Sequence, residues 1–209
     1  MMMSEINDDS IEKASRRVQK AALGFKRLGF VSFWAQLALS LVSAGIVVFT
    51  ILYRSATKIN AEIGLYFTLF GVIFSLISTF WTLGYGRIGR KLEKSVQEPQ
   101  NAPSRAQVVR SLTTGIQINM TGLTSTMLGL QASCGLLFAK SLSFAAQNPY
   151  TVASNSSPVM ALDIFVVQAS ANTLLAHFFA LACSLWLLRT VSSNGQQAEG
   201  KVVQQPSET

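Results

Sequence analysis

The sequence predicts an all-α integral membrane protein with four transmembrane helices, and two observations lead to this fold class. Hydrophobic residues make up 49% of the 209 residues and charged residues only 13%, about half the charged fraction of a soluble domain. The apolar residues are also gathered into four stretches long enough to cross about 30 Å of hydrocarbon. These stretches are residues 30–52, 63–84, 113–138 and 159–188. In lipid each stretch must satisfy its own backbone hydrogen bonds, so each is predicted to be a helix.

The polar arm of residues 1–29 is predicted to carry a basic amphipathic helix. Apolar residues recur at helical spacing from Ile11 to Phe25, whereas Lys13 and Lys20 lie off that line. Such a helix beside a span favours the headgroup layer of a membrane with anionic lipid, so membrane lipids are a predicted partner. Docking of a soluble protein is the alternative. The arm has the pattern of neither a signal peptide nor a transit peptide, so the mature protein is expected to start near Met1.

The segment between spans two and three is predicted to be helix, break and helix. The stretch "GRIGRKLEKSVQ" can continue the helix of span two beyond the membrane. The prolines of "EPQNAP" then stop it. Ser104, followed three residues later by Gln107, fits a capping box that opens the helix of span three.

The distribution of Lys and Arg predicts the topology. Of the 17 such residues, all but three lie in the arm, in the segment between spans two and three, or in the tail. The other three are Arg54, Lys58 and Lys140. The positive-inside rule therefore predicts that both termini face the cytoplasm. This asymmetry accounts for the net charge of +7, so nucleic acid is not a predicted partner. The tail, residues 190–209, is predicted to be disordered.

Glycines on spans two and three mark faces on which helices are predicted to pack. Gly64 and Gly71 are seven residues apart on span two, and Gly115, Gly122 and Gly129 have the same spacing on span three. Small residues let helix backbones approach closely in lipid. The packing can be within one bundle or between copies, and a homo-oligomer is predicted because four helices make a narrow bundle.

Span three is unusually polar for a membrane helix. Four of its polar residues share one stripe with Leu128 at helical spacing, and such a stripe is expected to face the bundle interior or a wet cavity. Its polar residues are Gln117, Asn119, Thr121, Thr124 and Gln131. They are candidates for lining a transport path.

The polar residues of span four form two lines. Asp163, Ser170 and His177 are seven residues apart, whereas Gln168 and Asn172 lie on a different side. Asp163 is expected to reach the outer interface, whereas His177 lies near the midplane. The imidazole is either neutral and hydrogen-bonded to a neighbouring helix or a transient site for an ion or a proton. All five residues join the candidate path.

The chain offers no residue set for a tight metal site or for catalysis. Cys134 and Cys183 are too far apart along antiparallel helices to share a disulfide or a metal ion. One His, one peripheral Asp and two remote thiols do not make a ligand set that transition metals favour. The sequence has no Glu-x-x-His pair, no Cys-x-x-Cys pair and no Gly-rich phosphate loop. We therefore expect neither an enzyme nor a cofactor.

Several segments together resemble a known family. They are "FKRLGFVSFWAQL", "FWTLGYGRI", "EPQNAPSRAQVV", "LGLQASCGLLFAK" and, above all, "SPVMALDIFVVQASANTLLAHFFALACSLWLLR". Over about residues 25–191 the chain resembles the chloroplast inner-envelope family called permease in chloroplasts, also described as a Tic-type translocon subunit family. The plastid-targeting extension of the plant members is absent. A cyanobacterial-type member is therefore expected, in the plasma membrane rather than the thylakoid.

The resemblance implies two competing roles. One is iron permeation and metal homeostasis, and the other is assistance to protein import across the inner envelope. A free-living bacterium has no chloroplast import route, which favours transport of iron ions through the polar residues of spans three and four. The alternatives are an accessory or scaffold role beside other membrane translocation components, and a structural membrane protein without transport.

Overall fold

The computed structural model describes residues 2–58, 62–95, 98, 100, 103–145 and 160–203, with side chains from Ser15 onward except at 17, 145 and 193–203. It is all helical over these ranges. The helices are α1 (Met2–Ala56), α2 (Ile63–Lys94), α3 (Arg105–Ala145) and α4 (Ala161–Val203). Each contains a segment long and apolar enough to cross a membrane: Val18–Thr57, Ile63–Lys94, Arg105–Phe144 and Ala161–Ser192. The predicted fold class of an all-α, four-span membrane protein is confirmed.

The segment between the second and third spans follows its sequence pattern. Helix α2 continues to Lys94, well past the apolar stretch. Helix α3 begins at Arg105, and the Gln107 backbone amide donates to the Ser104 side-chain oxygen over 3.2 Å. Ser104 therefore satisfies one of the amides that a helix N-terminus leaves without an intrahelical partner.

The chain ends differ from the prediction in one respect. Helix α4 continues to Val203, so the disorder predicted from residue 190 is not what the structure has over 190–203. The stretch "QQAEGKVV" contains good helix formers, which allow the helix of the span to propagate into it. Residues 204–209 lie outside the described residues, as do the side chains of Ile11, Lys13 and Arg17, on which the amphipathic pattern of the arm depends.

The chain divides into two units, and each helix contributes a segment to both. Unit 1 comprises Met1–Trp34, Thr79–Gln117 and Ala180–Thr209. Its core is apolar and consists of Phe25, Tyr85, Val108, Leu112 and Leu187. The Tyr85 hydroxyl lies 3.1 Å from the Ser184 hydroxyl, so the one polar group in this core has a partner.

Unit 2 comprises Ala35–Ser78 and Ile118–Phe179. It has a small apolar cluster of Val47, Leu65, Val72, Val166 and Ala169. Most of its other buried side chains are polar, whereas large apolar residues such as Phe70, Ile77 and Phe178 point outward. This inside-out distribution suits a helix bundle in lipid, where the surrounding medium is as apolar as leucine.

The glycines singled out on α2 and α3 lie against other helices. A Cβ added at Gly71 would overlap the Thr126 side chain of α3 and come within 3.3 Å of its Cα. A Cβ at Gly129 would lie 2.9 Å from the backbone nitrogen of Thr68 on α2 and 3.0 Å from the Gly64 carbonyl oxygen. At these positions the helix backbones approach too closely to admit a side chain.

Gly115 has the same role in unit 1. A Cβ there would overlap the Tyr85 hydroxyl and lie 3.2 Å from the Trp81 ring, and both aromatic residues belong to α2. The Trp81 indole also donates to the Ser111 carbonyl oxygen over 3.1 Å, one turn earlier on α3. The α2–α3 contact in this unit therefore combines a glycine with two aromatic side chains.

Candidate functional site

A polar stripe on α1 forms one wall of the unit 2 interior. Its members are three, four or seven residues apart, which places them on one face of the helix. Each is at most 3% exposed: Gln36, Ser40, Ser43, Thr50 and Arg54. The stripe faces the other three helices and brings amide, hydroxyl and guanidinium groups into a region that a soluble protein would fill with apolar side chains.

Hydroxyl pairs connect this stripe and α2 to the other helices. The Ser40 hydroxyl lies 2.6 Å from the Ser75 hydroxyl, which joins α1 to α2. The Thr68 hydroxyl lies 2.7 Å from the Ser170 hydroxyl, which joins α2 to α4. All four side chains are fully buried. Burial of serine and threonine costs little free energy here because their hydroxyls can also donate to the carbonyl four residues back. Ser170 does so to Val166 over 2.9 Å.

His177 occupies the centre of a buried amide cluster. Its Nδ1 lies 2.9 Å from Asn119 Oδ1, and its Nε2 lies 3.2 Å from the Gly71 carbonyl oxygen. The Gln36 amide donates to the Ser78 hydroxyl over 2.9 Å and to Asn119 Oδ1 over 3.2 Å. The fully buried imidazole of α4 thus bonds to α2 and α3 directly, and Asn119 and Gln36 link it to α1.

This cluster can satisfy His177 in either protonation state. A carbonyl oxygen only accepts, so the bond to Gly71 requires a proton on Nε2. With the Asn119 amide as placed, Nδ1 must donate as well, and the ring is then an imidazolium. If the Asn119 and Gln36 amides are both rotated by half a turn, Asn119 donates to Nδ1 and the ring is neutral. The number of hydrogen bonds at the ring is the same in both states.

Gly122 makes room for the imidazole. A Cβ at this position would overlap the His177 ring and lie 2.8 Å from Phe74 Cβ. The ring therefore occupies the space in which α3 would otherwise carry a side chain. The glycine spacing that predicted close helix packing on span three here admits the only histidine of the chain.

A charged cluster lies at one end of the unit 2 interior. Asp163 Oδ1 is 2.9 Å from Arg54 Nη2, and Asp163 Oδ2 is 2.8 Å from Lys140 Nζ. Glu62 joins them, with Oε1 2.9 Å from Lys140 Nζ and 3.5 Å from Arg54 Nη2. The four residues come from four helices or their immediate ends, and their formal charges cancel.

The cluster gives Asp163 partners that the sequence did not suggest. The acid lies in the first turn of α4, at the end of the span where the sequence predicts it, and its side chain is only 3% exposed. It is held by the two cations and by the backbone amide of Met160, which donates to Oδ2 over 3.1 Å. An acid one turn into α4 satisfies an amide at the helix N-terminus, and this position also brings it between Arg54 and Lys140.

The prediction that the polar stripe of α3 faces the bundle interior is wrong. Gln117, Thr121, Thr124 and Gln131 are exposed, not turned towards the bundle interior. Of the candidates on this helix, Asn119 is the one that is buried. Thr124 donates to the Met120 carbonyl oxygen over 2.9 Å, so its hydroxyl is satisfied by its own helix and can face lipid at low cost.

Two residues of this outward stripe line a groove between α2 and α3. The groove has a volume of about 780 Å³. Its walls are mainly apolar and include Tyr66, Phe67 and Phe70 on α2, together with Thr121 and Thr124 on α3. Thr121 and Thr124 therefore lie on the surface of unit 2 and not in its interior.

The two polar lines of span four face opposite directions. Asp163, Ser170 and His177 are all buried in the interior. Gln168 is exposed and Asn172 half-buried, and the Gln168 amide donates to Asn172 Oδ1 over 3.1 Å. The second line thus pairs with itself along α4, as residues four apart on a helix can do.

The interior offers oxygen and nitrogen ligands without a tight metal centre. Across the described ranges, no group of three or more His, Cys, Asp and Glu side chains comes together as a metal site would need. Cys134 is exposed and Cys183 half-buried, each as a free thiol. What the interior provides is a series of hydroxyl, amide and imidazole groups that ends at the paired carboxylates.

Several interior residues were not among the sequence candidates. They are Gln36, Ser40, Ser43, Arg54, Glu62, Ser75, Ser78 and Lys140. The signal for the first four is the spacing of 36, 40, 43, 50 and 54 on span one, the same rule that was applied to spans three and four. The charges of Arg54 and Lys140 contribute to the predicted topology, but no sequence spacing pairs them with Asp163 or Glu62.

The comparisons with known proteins agree on one family. Residues 15–192 match the model described as "Protein of unknown function (DUF3611)". The chain is 42% identical over 191 residues to "Protein TIC 21, chloroplastic" of Arabidopsis thaliana. The alignment covers 90% of this chain but 64% of the relative, so the chain spans less than two thirds of that protein's length. No solved structure matches the chain. The chain is an integral, multi-pass membrane protein that belongs to the DUF3611 family.

Proposed function

We propose that this protein moves a small cation or a proton across a membrane, and that the polar interior of unit 2 is the route. The observation that carries the proposal is the full burial of His177, together with the burial of Asp163 and Arg54 at one end of the same polar interior. Ionisable side chains inside a membrane-spanning bundle are costly and are found where an ion or proton passes or is held. Packing alone needs only the small residues that this bundle already has.

The amide cluster around His177 favours the passage of a proton or cation over its permanent binding. His177 keeps its hydrogen bonds in either protonation state if Asn119 and Gln36 rotate their amides, so a charge can arrive at the ring and leave it without the loss of a ring hydrogen bond. Hydroxyl pairs such as Ser40–Ser75 and Thr68–Ser170 extend the polar lining towards Asp163. The interior ends at the cluster of Arg54, Glu62, Lys140 and Asp163, so passage requires those ion pairs to separate.

Iron is the first cation to test, because the family resemblance implies iron permeation and metal homeostasis. A ferrous ion binds imidazole and oxygen ligands, and the interior supplies both. A route needs weak, successive contacts because an ion that binds too tightly does not leave. An ion in transit could therefore use one imidazole and neighbouring oxygens, without the three or four fixed ligands of a resident metal.

The test is flux through purified protein in liposomes, measured for ferrous, manganese and hydrogen ions. We expect His177→Gln and Asn119→Leu each to reduce flux at least tenfold, because each removes part of the amide cluster. The matched control is Asn172→Leu, the same change at a half-buried asparagine of α4 that pairs with Gln168. It should leave flux within about twofold of the parent chain.

Two outcomes would overturn the transport proposal. One is the absence of flux for all three ions from folded protein. The other is equal flux in the Asn119→Leu and Asn172→Leu proteins at equal amounts in the liposomes. Circular dichroism of each variant in detergent shows whether a loss of flux reflects a loss of helix.

A second candidate function is an accessory role in a larger membrane assembly. The exposed amide of Gln131, on the same outward face of α3 as Thr121 and Thr124, favours it, since polar side chains in lipid can bond to a partner helix. The protein translocation role implied by the family resemblance is of this kind. Crosslinking from Thr121 in native membranes tests it: recovered larger membrane proteins support the assembly role, and recovery of the chain alone opposes it.

A further inference from the structure

A second groove, between α1 and α2 in unit 1, combines cations with aromatic side chains. It has a volume of about 490 Å³. Its lining from α1 is Lys26, Gly29, Phe30 and Phe33, and its lining from α2 is Thr82, Leu83, Gly86, Arg87 and Arg90. The residues on each helix recur at three- and four-residue spacing, so each wall is one continuous helix face.

The two ends of this groove differ in character. Lys26 forms an ion pair with Glu93, and Gly89 packs against Ala22 and Phe25, so the early part of the α1 wall lies beside the late part of the α2 wall. The cations Lys26, Arg87 and Arg90 therefore lie towards one end. Phe30, Phe33 and Leu83 lie towards the other, where helix α1 enters its most apolar stretch.

The basic end of the groove has more cationic than acidic side chains. Lys26 has an acidic partner in Glu93, but no described acidic residue pairs with Arg87 or Arg90, and both are exposed. A guanidinium presents several N–H donors in a geometry that suits phosphate oxygens. Two such groups one helical turn apart make an attractive position for a phosphodiester.

The floor of the groove is open at a glycine. A Cβ added at Gly86 would meet no atom within 4 Å. The neighbouring Gly29 lies against the α2 backbone. A Cβ added at Gly29 would be 3.4 Å from the Gly86 nitrogen. Gly29 therefore lets the two helices touch at the floor of the groove, and the missing side chain at Gly86 leaves open space beside that contact, which a hydrocarbon chain can occupy.

We propose that this groove binds one anionic phospholipid, with its phosphate at Arg87 and Arg90 and an acyl chain along Phe30, Phe33 and Leu83. The groove has a cationic end and an apolar end, and a lipid has an anionic headgroup at one end and an apolar chain at the other. Basic pockets between transmembrane helices bind acidic headgroups on this principle. The site is distinct from the general contact of a basic arm with a membrane surface, because it has defined walls and a place for a chain.

Native mass spectrometry of the detergent-solubilised protein tests the headgroup end. We expect phosphatidylglycerol to be retained in preference to phosphatidylcholine. The double variant Arg87→Ala/Arg90→Ala should weaken phosphatidylglycerol binding roughly thirtyfold, in line with the contribution of two basic residues near anionic lipid. The matched control is Arg110→Ala/Arg189→Ala, which removes the same charge from exposed positions outside the groove. Equal weakening in both double variants would mean diffuse attraction and would overturn the site.

The substitution Gly86→Leu tests the chain end without a change in charge. It should fold, since its Cβ has open space, and it should reduce retention of phosphatidylglycerol by blocking the groove. The control is Gly84→Leu, which also has an open Cβ position but does not line this groove. Parental binding by Gly86→Leu would overturn the proposed acyl-chain position. Competition by inorganic phosphate alone would show a free-anion site and would overturn the assignment to a lipid.

Discussion

Replacing Asp163 with asparagine is expected to destabilise the protein by about 3–5 kcal/mol, the usual cost of removing one partner from a buried ion pair. The side chains of Asp163 and Arg54 are 3% and 4% exposed, so Arg54 would be left as a buried charge with weakened compensation. Lys140 is 27% exposed and would lose one of its two acidic partners. Unfolding in mixed detergent micelles, followed by circular dichroism, measures the loss.

A neighbouring acid provides the control for Asp163. Glu62 has a side chain that is 23% exposed, and its contact with Arg54 is longer, at 3.5 Å. Glu62→Gln should therefore cost no more than about 1 kcal/mol, in the range of exposed ion pairs. The double variant Arg54→Met/Asp163→Leu should be more stable than Asp163→Asn, because it removes both charges together. Equal costs for Asp163→Asn and Glu62→Gln would contradict the buried pairing.

The substitution Gly122→Ala is expected to cost about 1–3 kcal/mol through overpacking. Its Cβ would overlap the His177 ring and approach Phe74 Cβ to 2.8 Å, so the ring must leave its position between Asn119 and Gly71. The chain has a single histidine, so its imidazole NMR signals identify themselves and should shift. Unfolding in mixed micelles gives the free-energy change.

The control for Gly122 lies on the same helix. A Cβ at Gly135 meets nothing within 4 Å. Gly135→Ala should therefore stabilise α3 by up to about 1 kcal/mol, because alanine has the higher helix propensity. A neutral Gly122→Ala, with unchanged histidine signals, would show that α3 and α4 are not packed through His177 as described.

The sequence predicted the positions of the helices along the chain well, because hydropathy needs only a count of apolar residues per span. It also located the start of α3, since the Ser104 cap is a local pattern. Rotation of each helix about its axis was harder to predict. Asn119 and Thr121 are two residues apart on α3, yet the first bonds to His177 and the second lines an outer groove.

The error for α3 has a physical origin. Polarity alone does not mark the inward face of a membrane helix, because hydroxyls bonded to their own backbone and amides paired along a helix can face lipid. Thr124, bonded to Met120, and Gln168, bonded to Asn172, are both of this kind. On α1 the polar stripe that contains Gln36 and Ser40 does face inward, so polarity alone does not distinguish the two faces.

The charged cluster could not be derived from composition. Asp163, Lys140 and Arg54 are far apart in the sequence, and each taken alone reads as a group at the end of a span. Their pairing depends on the antiparallel order and matched depth of the helices in unit 2, which hydropathy does not specify. Once the register of the helices is known, these three charged residues are seen to pair with one another and to close one end of the polar interior.

Water access to Ser75 is the most direct test of a route through unit 2. The thiol introduced by Ser75→Cys, in a Cys134→Ala/Cys183→Ala background, would be exposed to a charged methanethiosulfonate reagent in transporting liposomes. The proposed route predicts that this thiol is modified, that flux then falls, and that the transported ion slows the modification. If the thiol at position 75 stays unmodified while one introduced by Lys58→Cys in the exposed turn after α1 reacts fully, the interior is packing and not a path.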